Sequence, residues 1–210
     1  MLKRGFGLVA MVAAAVILST GCSDEADGNA ESEGSDSDST REDASLPHSG
    51  APAVEDPIED TAVFENDICS VLTEEQLASL PVEVTEAEPD PENDIGPTCN
   101  WRTDTRDESF GGSLLTTDGE GLSSSYENAE AGGSELFMEL DPIDGYPAIA
   151  VDLNDGREDG YCNVAVGLRD DLSFYLGLDA IRDSSPYHDD PCGAAYEIAG
   201  MAVETMKGAG

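Results

Sequence analysis

Lysine is almost absent from this 210-residue chain, which holds it only at Lys3 and Lys207. Nine basic residues face 46 acidic ones, so the formal net charge at pH 7 is −37. Such a surface repels the phosphates of nucleic acids and of anionic lipids. We therefore expect no nucleic-acid partner. Adaptation to salt, or a proteome-wide bias, explains the charge as well as a functional acidic face does.

The signatures of common catalytic sites are also missing. The sequence has no Gly-x-Ser-x-Gly elbow, no phosphate-cradling glycine loop and no His-Glu-x-x-His motif. Its two histidines are His48, in a polar acidic segment, and His188, which we interpret as a loop residue. We predict a non-catalytic binding or interaction domain with no cofactor and no metal. The alternative is an exported, hydrolase-like enzyme with an unrecognised carboxylate site.

One acidic stretch, "DLNDGREDG" at residues 152–160, resembles a calcium-binding loop at first. An EF-hand loop needs glycine at its sixth position and glutamate at its twelfth. Here Gly156 falls at the fifth position and no glutamate stands at the twelfth. Because Asn, Asp and Gly tolerate positive φ, we interpret the stretch as a hairpin connection between two strands.

The N-terminus lacks an apolar run long enough to span a bilayer. Lys3 and Arg4 precede 13 residues, 6–18, that are apolar apart from Gly7, whereas a spanning helix needs about 20. A positive start, a short apolar run and small residues after it are typical of a secretory signal. We assign residues 1–21 to that signal.

Cys22 follows this signal directly in the stretch "STGC". The stretch resembles a bacterial lipoprotein box, in which the cysteine receives a lipid and becomes the mature N-terminus. Ser19 departs from that pattern, which favours Leu, Val or Ile there. We predict that lipid on Cys22 holds the protein on the extracellular face of the cell membrane. The alternative is a soluble secreted protein cleaved after Gly21.

Residues 22–60 have the composition of a disordered tether. From residue 23 onward they are mostly Ser, Asp, Glu, Gly, Ala and Pro, with no aromatic residue. Such a segment buries too little apolar surface to offset the entropy of ordering. A coil of this length extends about 35 Å, which would hold a folded domain of residues 61–210 clear of the membrane.

The remaining four cysteines, Cys69, Cys99, Cys162 and Cys192, predict two disulfides in an exported domain. None of them lies in a Cys-x-x-Cys pair. Four cysteines allow three connectivities. Cys69 and Cys192 lie at the starts of helical patterns, whereas Cys99 and Cys162 share the inward faces of two strands. We therefore predict the pairs Cys69–Cys192 and Cys99–Cys162.

Helix signals flank the predicted domain. Asn66 or Asp67 is a candidate cap ahead of Cys69, and Thr73 with Gln76 forms a capping box in "TEEQLASL". Near the other end, Asp190 and Pro191 start a helix. The apolar stripe of that helix comprises Ala194, Ala195, Ile198, Ala199, Ala202, Val203 and Met206.

Between these helices the apolar pattern has a period of two, which indicates strands. The stretches are "CNWR", "FGGSLLTT", "ELFMEL", "PAIAVDL", "YCNVAVGL" and "LSFYLGL", with "SSSYENAEA" as a short helix. The sequence thus predicts an α+β domain: an antiparallel sheet of about five to six strands, packed with an N-terminal helical segment and a C-terminal helix.

Two residues mark a candidate interaction face on the predicted sheet. If Trp101 and Phe174 point inward, Arg102 and Tyr175 point outward among small and polar residues. Arg and Tyr often anchor interfaces, so we expect an envelope protein or a small ligand to bind here. The alternative is a sheet face that is solvated or covered by a helix.

The stretches "DICSVLTEEQLASL", "CNW", "GYPAIAV", "YCNVAVGL" and "DPCGAAYEIAGMAVETM" occur together with the lipoprotein signal and the acidic tether. In this order the chain resembles the uncharacterised actinobacterial lipoproteins of domain of unknown function 3558, over residues 64–207. The resemblance implies an α+β domain, with the fold shared by Mog1 and PsbP proteins as a candidate relation. It implies no activity and no catalytic residues.

Overall fold

Seven antiparallel strands form one sheet at the centre of the fold. A computed structural model describes residues 45–105 and 108–209. The strands are β1 Val84–Asp90, β2 Thr98–Thr103, β3 Ser109–Leu115, β4 Leu136–Glu139, β5 Ala148–Asp152, β6 Tyr161–Arg169 and β7 Leu172–Asp179. Their order across the sheet is β1-β2-β3-β7-β6-β5-β4. The predicted α+β class is confirmed, with one or two more strands than expected.

The inner face of the sheet forms the main core beneath four helical segments. These segments are α1 Ala62–Asn66, the 3-10 helix Ile68–Val71, α2 Glu74–Ser79 and α4 Pro191–Gly208. All seven residues of the predicted α4 stripe are buried in this core. Trp101, Phe174 and Leu176 are fully buried from the strand side, because alternate residues of a strand face the same way.

The outer face is crossed by the chain as it passes from β3, in the middle of the sheet, to β4 at one edge. Helix α3, Ser123–Glu130, lies in this crossover and matches the predicted short helix. A second apolar cluster fills the space between the crossover and the sheet, with Leu122, Tyr126, Ile149, Val151 and Ala165 as its buried members. The helix therefore covers one part of the outer face.

The predicted helix caps are mostly confirmed. Thr73 Oγ1 accepts a hydrogen bond from the Gln76 N–H at 3.2 Å, and Gln76 Oε1 accepts one from the Thr73 N–H at 2.9 Å. Asp190 accepts from the Gly193 N–H at 3.0 Å at the start of α4. Asp67 occupies the cap position of the 3-10 helix, but its side chain makes no cap hydrogen bond.

The predicted disulfide pairs, Cys69–Cys192 and Cys99–Cys162, are wrong. The bridges are Cys69–Cys99 and Cys162–Cys192, with Cα–Cα distances of 5.1 and 5.0 Å. Cys99 on β2 and Cys162 on β6 do share the inner face, but β3 and β7 lie between their strands. Three strand spacings amount to about 14 Å, which no disulfide can bridge. Each strand cysteine instead joins a helical segment that lies over it.

Strand β1 is absent from the predicted strands. Six of its seven residues are exposed, because it is an edge strand that pairs on one side only, with β2. Glu86, Glu88 and Pro89 fall within it. Charge and proline discourage an edge strand from pairing with another chain, and these same residues remove the alternating apolar signal.

Residues 45–60, here called the arm, contact the domain although their composition assigns them to the tether. The Val54 N–H donates to Asp170 Oδ1 at 2.9 Å, and the Ile58 N–H donates to the Leu168 carbonyl at 3.0 Å. Ile58 is also buried in the main core. Within the described residues, ordered structure therefore begins before residue 61.

The two bridges can be tested by peptide mapping without reduction, which is expected to join 69 to 99 and 162 to 192. Both bridges span 30 residues. Replacing both cysteines of either bridge by alanine should therefore lower the free energy of unfolding by about 3.5 kcal/mol in the chain-entropy model. Each double-alanine variant is the control for the other, because the two bridges close loops of equal length. A peptide joining 99 to 162 would contradict this connectivity.

Candidate functional site

The outer face carries both residues predicted for an interaction face, but it does not bring them together. Arg102 on β2 pairs in register with Ser109 on β3, which pairs with Asp179 on β7. Tyr175 lies four residues before Asp179 on that strand. Two strand spacings and four residues along a strand separate Arg102 from Tyr175 by about 16 Å. They mark the two ends of one surface.

At one end of this surface, Arg102 is held by two carboxylates of the edge strand. Its guanidinium lies 2.8 Å from Glu88 Oε2 and 3.8 Å from Glu86 Oε2. All three side chains are about half exposed, so the ion pairs contribute little to stability. A ligand carboxylate must therefore compete with Glu86 and Glu88 for this arginine.

At the other end, Tyr175 is half-buried and packs against the apolar cluster beneath the crossover. Burial raises the pKa of its hydroxyl above the usual value of 10.0, and the charge of Asp152 raises it further. The hydroxyl is thus neutral at physiological pH. Helix α3 covers part of this end of the face and leaves Tyr175 half-buried.

Two paired glycines, Gly111 on β3 and Gly177 on β7, lie between these ends. A Cβ atom on Gly177 would come within 2.6 Å of Asn163 Oδ1, and one on Gly111 within 3.2 Å of Asn100 Oδ1. Each asparagine amide therefore lies close over a glycine. We call Asn100, Gly111, Asn163 and Gly177 the glycine patch.

Carboxylates flank the glycine patch. Asp152 Oδ2 accepts a hydrogen bond of 2.7 Å from Asn163 Nδ2. Burial raises the pKa of Asp152, and the hydrogen bond from Asn163 opposes that rise. Burial also raises the pKa of Asp179. The surface thus presents amide donors and acceptors, two partly desolvated carboxylates and a neutral phenol, which suit a polar neutral or cationic ligand.

The other predicted residues have varied outcomes. Cys22 lies outside the described residues, so its lipidation stays a prediction. His188 lies in the loop before α4, as predicted, with Nδ1 2.8 Å from the Ala180 carbonyl and Nε2 3.5 Å from Asp183 Oδ1. His48 belongs to the arm rather than to a free tether.

The acidic stretch at 152–160 is the predicted hairpin connection. It joins β5 to β6, which pair antiparallel. Within it, Arg157 donates to both oxygens of Asp155 at 2.8 and 2.7 Å. These hydrogen bonds lower the pKa of Asp155 to about 2, so its carboxylate is ionised and occupied by an arginine.

A group that could hold a metal lies elsewhere, where the arm meets α3. One ligand atom each from His48, Glu120 and Glu127 lie within 4.8 Å of one another. The sequence prediction missed this group because His48 is 72 residues from Glu120. The sequence could have indicated only the two carboxylates, because Glu120 lies just before the predicted short helix and Glu127 lies within it.

A family model described as "protein of unknown function (DUF3558)" matches residues 17–205. No curated protein matches the chain. No solved structure matches it either, so the relation to Mog1 and PsbP proteins stays a prediction.

The hydrogen bond between Asn163 and Asp152 gives a titration test. Asn163→Ala is expected to raise the pKa of Asp152 further, because burial then acts unopposed by that hydrogen bond. Carboxyl carbon NMR shifts followed against pH would measure it. A raised pKa in the folded state means that protonation of Asp152 favours folding. Asn100→Ala, the control, should leave this pKa unchanged, and an unchanged value in Asn163→Ala would contradict the assigned network.

Proposed function

The chain belongs to the DUF3558 family of proteins of unknown function, and on that premise we propose that it is a lipid-anchored protein of the cell surface whose domain binds a partner without catalysis. The anchor is a lipid on Cys22, and the acidic tether holds the domain away from the membrane. The partner is an envelope protein or a small ligand.

Two observations support the cell-surface location. The family match begins at residue 17, so it includes the predicted lipoprotein box around Cys22. The domain has two disulfides, which form and persist in oxidising compartments such as the exterior of the cell. No helix among the described residues is long and apolar enough to cross a membrane.

The observation that carries the binding role is the glycine patch. Its four residues are exposed or half-exposed, although helices cover the inner face and α3 covers part of the outer face. Side chains that are small and polar let a partner approach the sheet closely. The domain of residues 61–210 holds 33 acidic and six basic residues, a net charge of −27, which favours a neutral or cationic partner over nucleic acid.

The enzyme alternative would place a carboxylate site in the groove beside Cys192. This groove has a volume of about 580 Å³ and is lined by Asp155, Glu158, Asp189 and Asp190 among others. A general acid works best with a pKa near the operating pH. The pKa of Asp155 is lowered instead, so it is unsuited to that role. A site that used Asp155 as its general acid is therefore not supported, whereas the glycine patch supports the binding role.

Lipidation can be tested on Cys22 itself. The native protein should partition into detergent and carry a lipid on its N-terminal cysteine by mass spectrometry, whereas Cys22→Ala should accumulate uncleaved and unlipidated. Cys69→Ala is a useful control, because loss of a disulfide should leave lipidation intact. Native protein found wholly in the culture medium, with an unmodified N-terminus at Cys22, would contradict the anchor.

The binding role can be tested by placing a photocrosslinking amino acid at Asn100 in intact cells. We expect a discrete adduct, with a control probe at the exposed Glu75 of α2 giving none. Arg102→Gln and Tyr175→Phe should each reduce the adduct at Asn100 severalfold. Tyr175→Phe keeps the buried ring, and Arg102→Gln removes only exposed ion pairs, so unfolding free energies should change by about 1 kcal/mol or less.

Two results of the crosslinking experiment would contradict the binding role. The same adduct at Asn100 and Glu75 would show non-specific proximity. An adduct that neither Arg102→Gln nor Tyr175→Phe alters would show that these residues stabilise the sheet and do not contact a partner.

A further inference from the structure

The arm is fixed to the crossover near α3 by a backbone hydrogen bond. The His48 N–H donates to Ser123 Oγ at 3.0 Å. The His48 ring is half-buried, and its Nδ1 lies 3.2 Å from the Ser49 hydroxyl, which restricts the orientation of the ring. The imidazole is therefore placed at a defined point on α3.

That point lies beside two carboxylates. The Ser123 N–H donates to the Glu120 carbonyl at 3.0 Å across the turn that leads into α3. Glu127 follows Ser123 by four residues and so lies on the same side of the helix. With His48 bound to Ser123, one ligand atom from each of His48, Glu120 and Glu127 lies within 4.8 Å of the other two.

Among the described residues, no ion pair offsets the repulsion between the two carboxylates. The ion pairs of the described residues include neither Glu120 nor Glu127. The chain has only nine lysines and arginines for 46 acidic residues. Two carboxylates at this separation repel each other. A cation bound between them would attract both.

We propose that His48, Glu120 and Glu127 bind a divalent transition-metal ion of the zinc class and that this ion fastens the arm to α3. One imidazole nitrogen and two carboxylate oxygens are ligands that Zn²⁺ accepts, with water completing the coordination. Ca²⁺ takes six to eight oxygen ligands, so it binds more weakly here. The site is independent of the glycine patch and of the proposed function.

The test is a calorimetric titration of the purified full-length mature protein with ZnCl₂, after chelation and dialysis. Millimolar MgCl₂ and 0.15 M NaCl should suppress diffuse binding to the acidic tether. The native protein is expected to bind one Zn²⁺ per chain. His48→Ala and Glu127→Gln should each weaken that binding at least tenfold, whereas His188→Ala, the matched control at the other histidine, should bind as the native protein does.

A second readout tests the role of the ion. Zn²⁺ should slow proteolytic cleavage within residues 45–60 in the native protein and in His188→Ala, but not in His48→Ala. Thermal melts without metal should confirm that all variants are folded. Binding of equal strength in His48→Ala and the native protein, equal loss in His188→Ala, or several weak sites in place of one would each overturn the proposal. Zn²⁺ binding without protection of the arm would overturn the fastening role.

Discussion

The inner face of the sheet must be kept from water, and helical segments from the N-terminal and C-terminal parts of the domain cover it. A disulfide joins each of these two parts to the sheet. Cys69 joins the N-terminal segment to β2, and Cys192 joins α4 to β6. Gln76 links the two groups of helices, since its Nε2 donates to the Met201 carbonyl at 2.9 Å. The large negative charge of the chain causes repulsion that opposes compact folding. The two disulfides are covalent links that hold the helices on the sheet against this repulsion.

The order of the strands determines which part of the outer face stays uncovered. Because β4 lies at the edge farthest from β1, the chain has to cross the sheet after β3, and α3 covers the strands beneath this crossing. The part of the outer face beyond this crossing keeps exposed or half-exposed side chains, including Asn100 on β2 and Asn163 on β6 around two paired glycines. The same crossover provides the surface to which the arm binds through Ser123.

Local patterns predicted the elements well because they depend on nearby residues. The capping box at Thr73, the start of α4 at Asp190 and the inward direction of Trp101 and Phe174 all follow from spacing within a few residues. The disulfide pairs depend on strand order, which a shared face does not reveal. The predicted pair Cys99–Cys162 is therefore wrong, because two strands lie between these cysteines. The composition of the arm gave no sign that Ile58 is buried in the core.

In the candidate site, too, local patterns predicted some features, whereas others depend on the tertiary fold. Alternation along each strand identified Arg102 and Tyr175 as outward-facing, but their separation of about 16 Å follows from the position of β3 between their strands. The contact of Asn163 with Asp152, 11 residues before it, requires the β5–β6 hairpin. The group formed by His48, Glu120 and Glu127 requires the arm to fold back onto α3, which no pattern in the sequence indicates.

We propose that in the mature protein the glycine patch is open to a partner while the inner face is closed. NMR of the full mature chain with a soluble paramagnetic probe measures this directly. Signals of the Asn100 side-chain amide and the Gly111 amide should broaden strongly, and those of Val164 and Leu176 methyl groups should not. Protection of the patch at the level of Val164 would mean that another part of the chain covers it and that no partner can reach it.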